Sequence, residues 1–193
     1  EEFRNHIGKI RTAPVPKSSK RGGKEAKESF ATLQQFARGE TALLGYCQAR
    51  NFPIAAAAYK KAIESGFTDE TWLAEAHHKL GLVYQEQGEL EQAEAAIQQA
   101  LAIRPHTPEF LNNLGTIYLT QGKRDQALRL FEKAVSLRPN YAVARYNLGE
   151  LYEATNPKRA ISEYETYLAL VEGIPEEANR AMQVQARLKR LVK

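Results

Sequence analysis

The sequence is poor in the residues that build covalent and metal-bound frameworks. Its 193 residues include one cysteine, Cys47, one methionine and one tryptophan. A single cysteine excludes an intramolecular disulfide framework and a multi-cysteine zinc site, and we interpret Cys47 as a small buried hydrophobic residue. No run of 18 apolar residues occurs, so the sequence predicts no membrane-spanning helix.

Enzyme signatures are missing as well. The sequence has no phosphate-binding loop, no G-x-G-x-x-G, no G-x-S-x-G and no H-E-x-x-H. His77 and His78 are adjacent, and neighbours on a helix point about 100° apart, which does not suit a shared metal ion. We interpret His77 as a packing residue. The sequence therefore predicts no catalytic residue, no cofactor and no metal site.

Positive charge is concentrated at the start of the chain. The net charge is +4, yet residues 1–24 hold seven Lys or Arg against two Glu, so the rest of the chain carries −1. Two prolines and two serines leave this segment little to bury, which predicts a flexible basic arm. We interpret the arm as a tether, or next as an anchor on an acidic partner. A nucleic-acid role ranks last, because the remaining body is not basic and no aromatic residues interleave with residues 9–24.

The first residue is Glu1 rather than methionine, which we read as a sign of processing or truncation. A signal or anchor upstream of Glu1 stays open. The compartment therefore stays open too: cytoplasmic, or periplasmic or membrane-associated if such a segment has been removed.

A period of 34 residues organises the remainder of the chain. Leu-Gly pairs recur at residues 80–81, 114–115 and 148–149, and tyrosines recur at Tyr84, Tyr118 and Tyr152. Several other pairs keep the same interval: Gly88 and Gly122, Ala93 and Ala127, Ala100 and Ala134, Pro105 and Pro139. A short unit that repeats in this way is typical of a solenoid, in which stacked units bury what one unit cannot.

The pattern L-G-x-x-Y, followed by G, A, a large apolar residue, A and P, resembles the tetratricopeptide repeat family. The resemblance implies an all-α, right-handed superhelical solenoid of antiparallel helix pairs. It implies a non-catalytic scaffold or adaptor that binds a protein or peptide partner. The repeats are expected at 74–107, 108–141 and, with a shortened turn that Asn156 and Pro157 suit, 142–173.

A degenerate fourth unit is predicted within residues 25–73. Tyr46, Ala55, Tyr59 and Ala62 reproduce the spacing, whereas Leu43 stands where glycine is expected. A bulky residue at this position predicts that the two helices of this pair lie farther apart. We expect Trp72, in the extra segment before the next unit, to pack over the pair.

Two further helices flank the repeats. A long helix from residue 24 is predicted to carry one apolar stripe, formed by Phe30, Leu33, Ala37, Thr41 and Leu44. Residues 174–193 are predicted to form a capping helix that covers the last pair through a narrow stripe, formed by Ala178, Met182, Gln185, Leu188 and Val192.

The resemblance also implies a concave groove lined by the first helix of each pair. Carried onto this chain, its residues are His78, Lys79, Leu82 and Gln85; Asn112, Asn113 and Thr116; and Tyr146, Asn147 and Glu150, with Leu119 and Glu153 farther along. Peptide-binding members of the family hold the backbone of their ligands with asparagines. We therefore expect Asn113 and Asn147, one repeat apart, to contact a partner, because an amide both donates and accepts hydrogen bonds. The alternative is a solvated wall without a ligand.

Three finer expectations concern this groove. Lys79 favours acidic character in the ligand at one end, and Glu150 and Glu153 favour basic character at the other. The residues that correspond to Asn112 in the neighbouring repeats are His78 and Tyr146. Because the residue type differs between repeats, we expect this position to set specificity. The family's carboxylate clamp is not expected, since only Asn113 matches it. The ligand is either an extended peptide or a helix. The alternative function is an assembly subunit that docks through residues 1–24 and its outer surfaces.

Overall fold

The computed structural model of the chain describes residues 22–45 and 50–192, with side chains from residue 30 onwards. Nine α-helices and one 3-10 turn, Pro175–Glu177, occupy these residues. The helices are α1 Gly22–Leu44, α2 Phe52–Ser65, α3 Glu70–Glu86, α4 Leu90–Ile103, α5 Pro108–Thr120, α6 Arg124–Leu137, α7 Ala142–Tyr152, α8 Pro157–Val171 and α9 Ala178–Leu191. The described residues are helical and contain no strand, which confirms the all-α class.

Helices adjacent in sequence pack as pairs: α1 with α2, α3 with α4, α5 with α6, and α7 with α8. Connections of a few residues make the two helices of a pair antiparallel neighbours. Pairs stack on one another, and the first helices of neighbouring pairs, α3 and α5, also touch. The cap of α8 is as predicted: the Asn156 side chain accepts a hydrogen bond from the Arg159 amide, and Pro157 opens the helix. The predicted shortening of the turn is wrong, because four residues separate α7 from α8 and three separate α5 from α6. The third repeat instead has a shorter first helix, with 11 residues in α7 and 13 in α5. These pairs confirm the predicted solenoid of helical repeats.

Small residues allow each pair to approach closely. A Cβ atom placed on Gly115 would lie 2.6 Å from a ring carbon of Phe131, and one on Gly81 would lie 2.5 Å from Ile97 Cγ1. Gly149 meets the ring of Tyr164 in the same way. The large side chain of the second helix therefore rests directly on the backbone of the first helix.

The first pair keeps this arrangement, contrary to the prediction. A Cβ atom on Gly39 would lie 2.7 Å from the ring of Tyr59. Gly39, not Leu43, therefore takes the small-residue position, and the two helices approach as closely as in the other pairs. The prediction was wrong because the spacing between Gly39 and Tyr59 is four residues longer than the spacing between Gly115 and Phe131.

The buried face of α1 also differs from the predicted stripe. Thr32, Phe36 and Glu40 are buried, whereas Phe30 and Leu44 are exposed. Phe36 is central, because the rings of Tyr59, Phe67 and Trp72 lie around it at centroid distances of 5.4 to 6.4 Å. The single long helix and the packing of Trp72 over the first pair are confirmed; the stripe is wrong by one residue.

Helix α9 covers the last pair, but not through the predicted stripe. Val184 is fully buried, and Ala181, Leu188 and Leu191 pack beside it against α8 and its neighbours. Met182 is 61% exposed and Val192 is 71% exposed. The helix therefore carries apolar side chains on two faces. Most of the predicted stripe lies on the uncovered face, whereas its member Leu188 packs against the core.

Three predictions lie outside the described residues. The basic arm falls there except for residues 22–24, which are helical. The proposed docking of an assembly subunit through this arm and the interpretation of Cys47 fall there as well.

Candidate partner-binding groove

The first helices of the pairs place the predicted groove residues along one wall. Most are half-buried, which leaves part of each side chain accessible: Lys79, Leu82, Gln85, Asn113, Thr116, Tyr146, Asn147 and Glu150. His78 and Asn112 are the exceptions, at 7% and 3% exposure. These two side chains lie within the wall rather than on its surface.

A chain of side-chain hydrogen bonds crosses the wall from α7 to α3. Asn147 Nδ2 donates to Asn112 Oδ1 at 3.0 Å, and Asn112 Nδ2 donates to Asn113 Oδ1 at 3.2 Å. Asn113 Nδ2 then lies 2.7 Å from His78 Nε2. We call these four residues the amide chain. It joins the first helices of three successive repeats, which explains why asparagine stands within these helices despite its low helix propensity.

The contact with Asn113 fixes the tautomer of His78. An amide nitrogen can only donate, so His78 Nε2 accepts and the ring proton belongs on Nδ1, which faces Glu75 Oε1 at 3.5 Å. The His78 ring also packs on the ring of Phe110, with centroids 4.5 Å apart. Burial would raise the pKa of Glu75, but the hydrogen bond with His78 and the charges of Lys79 and Arg104 hold it below its ordinary value.

These contacts correct two of the sequence interpretations. His78 does not project freely into the groove, because Asn113 and Phe110 enclose it. Asn112 does not set specificity on the groove surface, because it is buried and joins Asn113 to Asn147. His78 and Tyr146 occupy the equivalent positions in the other repeats, and each also contacts the next helix along the stack. The residue type at this position therefore depends on the side chains of that next helix. The sequence distinguished Asn112 from Asn113 by their repeat counterparts, but it could not show that Asn112 is buried between two helices, because it does not show how far apart those helices lie.

The charge at the first end of the groove is paired within the fold. Lys79 Nζ lies 3.6 Å from Glu40 and 3.9 Å from Glu75. Glu40 is itself buried and accepts a hydrogen bond from the Tyr59 hydroxyl. Burial, and then the neighbouring Glu40, raise the pKa of Tyr59. Because Lys79 already faces two carboxylates, it gives little reason to expect an acidic ligand at this end.

The charges at the other end are paired as well, through α9. Arg187 lies 2.8 Å from Glu150 and 2.7 Å from Glu153. Burial would raise the pKa of Glu153, but hydrogen bonds from Tyr164 and Arg187 keep it below its ordinary value. The expectation of a basic ligand segment here loses its support, because the capping helix supplies that cation.

Tyr146 continues the series of junctions into α9. Its ring packs against the rings of Tyr164 and Tyr167, and the guanidinium of Arg180 lies 5.4 Å from the ring centroid. Sequence reasoning did not single out Arg180 or Arg187. A signal exists, since the two arginines lie seven residues apart on one face of α9, and Arg180 follows Tyr146 by one repeat length.

The middle of the groove is uncharged. Between the two ion-paired ends lie Leu82, Thr116 and Leu119, together with Asn113 and Asn147, and all five are half-buried. The Thr116 hydroxyl donates to the backbone carbonyl of Asn112 in the preceding turn. This stretch offers apolar contacts beside hydrogen-bonding amides, which suits a polypeptide backbone.

No metal-binding cluster is formed by three or more His, Cys, Asp or Glu residues within the described part of the chain. His77 is half-buried, and burial lowers its pKa, which agrees with a packing role. None of the helices between residues 22 and 192 has the length and apolar character needed to cross a membrane.

Helix pairs that stack on one another define a helical-repeat protein. Residues 72–140 and 107–173 match the model of the tetratricopeptide repeat. Together these ranges span more than half of the sequence, so the chain belongs to the tetratricopeptide repeat family. A comparison with curated protein sequences gives no match.

Solved structures of other proteins have a similar fold. The MamA protein is 22% identical, with 84% of this chain and 86% of that chain covered and a TM-score of 0.62. The Yersinia enterocolitica type III secretion chaperone SycD, in complex with a peptide of the translocator YopD, is 17% identical, with 61% and 90% covered and a TM-score of 0.57. The first repeat domain of Spaghetti (RPAP3), bound to the HSP90 peptide SRMEEVD, is 22% identical, with 64% and 99% covered and a TM-score of 0.54. At these identities the likeness concerns the fold.

Proposed function

We propose that this protein is a non-catalytic interaction scaffold, or adaptor, whose concave groove binds an extended segment of a partner protein. The observation that carries the proposal is the unused hydrogen-bonding capacity of Asn113 and Asn147. Each amide donates one of its two N–H groups to the amide chain and keeps the other. Both side chains are half-buried, so a ligand can reach these groups.

The spacing of these two amides suits an extended backbone. The amide of Asn112 lies between them, joined to each by one hydrogen bond of 3.0 to 3.2 Å. Their separation is therefore no more than one amide plus two hydrogen bonds. An extended chain advances about 3.3 Å per residue, so this distance corresponds to roughly two residues of ligand. Asn113 and Asn147 can then contact backbone groups that point to the same side.

The paired charges at both ends of the groove favour a ligand segment of low charge. Lys79 faces two carboxylates, and Glu150 and Glu153 face Arg187, so a charged ligand would have to compete with contacts already made. Leu82 and Leu119 add apolar contacts along the wall. The peptides held by SycD and by Spaghetti support peptide binding as a property of this fold in other proteins.

A peptide display library tests the proposal, because it offers the groove many ligand sequences at once. The full chain is used to select peptides, and the affinity of a consensus peptide is measured by calorimetry. The double variant Asn113→Ala/Asn147→Ala should bind roughly tenfold or more weakly, because two hydrogen bonds of about 1 kcal/mol each are lost. Gln99→Ala/Gln126→Ala, which truncates two exposed amides on the second helices, is the control.

Because the asparagines also support the fold, affinities are measured at a temperature where circular dichroism shows every variant folded. Equal affinity of the asparagine double variant and the control would refute the proposed contacts. Selected peptides that are helical when bound would instead favour the other ligand geometry.

A further inference from the structure

Helix α9 leaves the large apolar side chains of Met182 and Val192 exposed on its outer face. The outer face of α9 comprises Ala178, Met182, Gln185, Lys189 and Val192, all of which are exposed and follow helical spacing. Ile174, just before the helix, is also exposed, at 42%. Neighbouring exposed apolar side chains mark interaction sites, so this face suits a contact with another chain.

A depression adjoins this face. It has a volume of about 650 Å³ and lies between the end of α8 and the start of α9. Apolar side chains form most of its lining: Leu168, Ala169, Val171, Ile174, Ala178 and Ala181. The depression extends the exposed apolar surface of α9 onto the end of α8.

The two ends of the outer face carry opposite charges. Glu172 and Glu176 are exposed at its beginning, and Lys189 is exposed near its end. Within the described residues, none of these three takes part in an ion pair. The same face therefore complements itself when a second copy is turned end to end.

We propose that the outer face of α9 is a two-fold dimer interface, in which the α9 helices of two copies pack antiparallel. Met182 lies near the two-fold axis. Lys189 is seven residues after Met182 and Glu176 is six residues before it, so each Lys189 faces Glu176 of the second copy. Val192 in turn reaches Ile174 of the second copy, at the mouth of the depression.

The antiparallel arrangement is favoured over a parallel one for an electrostatic reason. A parallel pair would place Lys189 beside Lys189 and Glu176 beside Glu176, and like charges across an interface are repulsive. Antiparallel helices also place opposite ends of their dipoles together. A two-fold contact uses the same patch on both copies and closes on itself, so it leaves no further free face of this kind.

The mass of the full chain in solution tests the dimer. Light scattering after size-exclusion chromatography should give the mass of two chains at high concentration. Met182→Lys should shift the protein to one chain, because it places two positive charges at the axis. Leu137→Lys is the matched control, since Leu137 is an exposed apolar residue on α6, away from this face, and it should leave the dimer intact. A single-chain mass for the unaltered protein at every concentration would overturn the proposal, as would a Met182→Lys variant that remains dimeric.

Charge reversal tests the orientation independently. Lys189→Glu and Glu176→Lys should each weaken self-association by roughly tenfold, because two attractive contacts become repulsive. When these two variants are mixed, both contacts in the mixed pair are attractive, and association should return. Failure of the mixture to associate would refute the antiparallel pairing. Circular dichroism on each variant confirms that the helices are retained.

Discussion

The amide of Asn147 donates to the buried amide of Asn112 at 3.0 Å, across the boundary between the second and third repeats. Asn112 in turn donates a hydrogen bond to Asn113, and the amide of Asn113 contacts His78 in the first repeat. Polar side chains therefore join the first helices of three repeats, and Asn113 and Asn147 each keep one N–H group outside this chain of hydrogen bonds. Asn113 and Asn147 thus take part both in the support of the fold and in the proposed recognition of a partner.

Removing the central amide should destabilise the protein. We expect Asn112→Ala to lower the free energy of unfolding by about 1–3 kcal/mol, because it leaves groups on Asn113 and Asn147 without their partner. Urea denaturation followed by circular dichroism measures the effect. Asn179→Ala, at an exposed asparagine on α9, is the control and should change little. An unchanged midpoint for Asn112→Ala would show that the amide chain contributes nothing to stability.

The close approach of the helices in the first pair predicts that replacing Gly39 by alanine lowers stability, the opposite of the usual effect in a helix. In an ordinary helix, replacing glycine by alanine stabilises by up to about 1 kcal/mol. We expect Gly39→Ala to destabilise by about 1–3 kcal/mol instead, because the new Cβ would lie 2.7 Å from the ring of Tyr59. Thermal unfolding checks the sign. A raised melting temperature would mean that the first pair is more open than described.

Glu94 should give the protein part of its sensitivity to acid. Burial would raise its pKa, but hydrogen bonds from Gln121, Lys123 and Tyr118 hold the pKa of this carboxyl below its ordinary value. A group whose pKa is lowered by folding stabilises the fold above its unfolded pKa of about 4.3, and this contribution is lost as the pH falls through the folded value.

We therefore expect Glu94→Gln to lower stability at neutral pH and to reduce the loss of stability on acidification. Urea denaturation at a series of pH values measures both effects. Glu91→Gln, at an exposed position on the same helix, should leave the pH dependence unchanged. If Glu94→Gln and Glu91→Gln behave alike, the hydrogen bonds to Glu94 do not contribute.

Arg187 should hold the capping helix in place. Its hydrogen bond to Glu153 raises its pKa further, and it also pairs with Glu150. We expect Arg187→Met to destabilise the protein by about 1–2 kcal/mol, because two partly buried carboxylates lose their cation. Amide hydrogen exchange should show faster exchange in α9 and in the second half of α7. Arg190→Met, an exposed neighbour on α9, serves as the comparison. Equal exchange in both variants would contradict this role.

The repeat units could be predicted from the sequence because their contacts are short in sequence and recur. Gly115 and Phe131 are separated by 16 residues, and the same small-to-large pairing returns one repeat earlier at Gly81 and Ile97. The first pair was misread at Leu43 because an insertion shifts Gly39 relative to Tyr59. A comparison at a fixed repeat length does not detect an insertion that is present in only one of the units.

The candidate groove was only partly predictable. The positions along the wall follow from the resemblance, and eight of the ten proposed residues are half-buried there. The roles of Asn112 and Lys79 did not follow, because their partners Asn147 and Glu40 belong to other repeats. Whether a polar side chain faces a ligand or another helix depends on distances of a few ångströms between those helices.

The sequence by itself determined that this chain is a stack of helix pairs. Small and large residues recur at a fixed interval, so each repeat can form the same close contact between its two helices. Only the tertiary structure decided which face of α9 is buried. Both of its stripes, one through Val184 and one through Met182, carry apolar residues at helical spacing. The difference is set by the surface of α8 and the tyrosines around it, which the periodicity of a single helix does not encode.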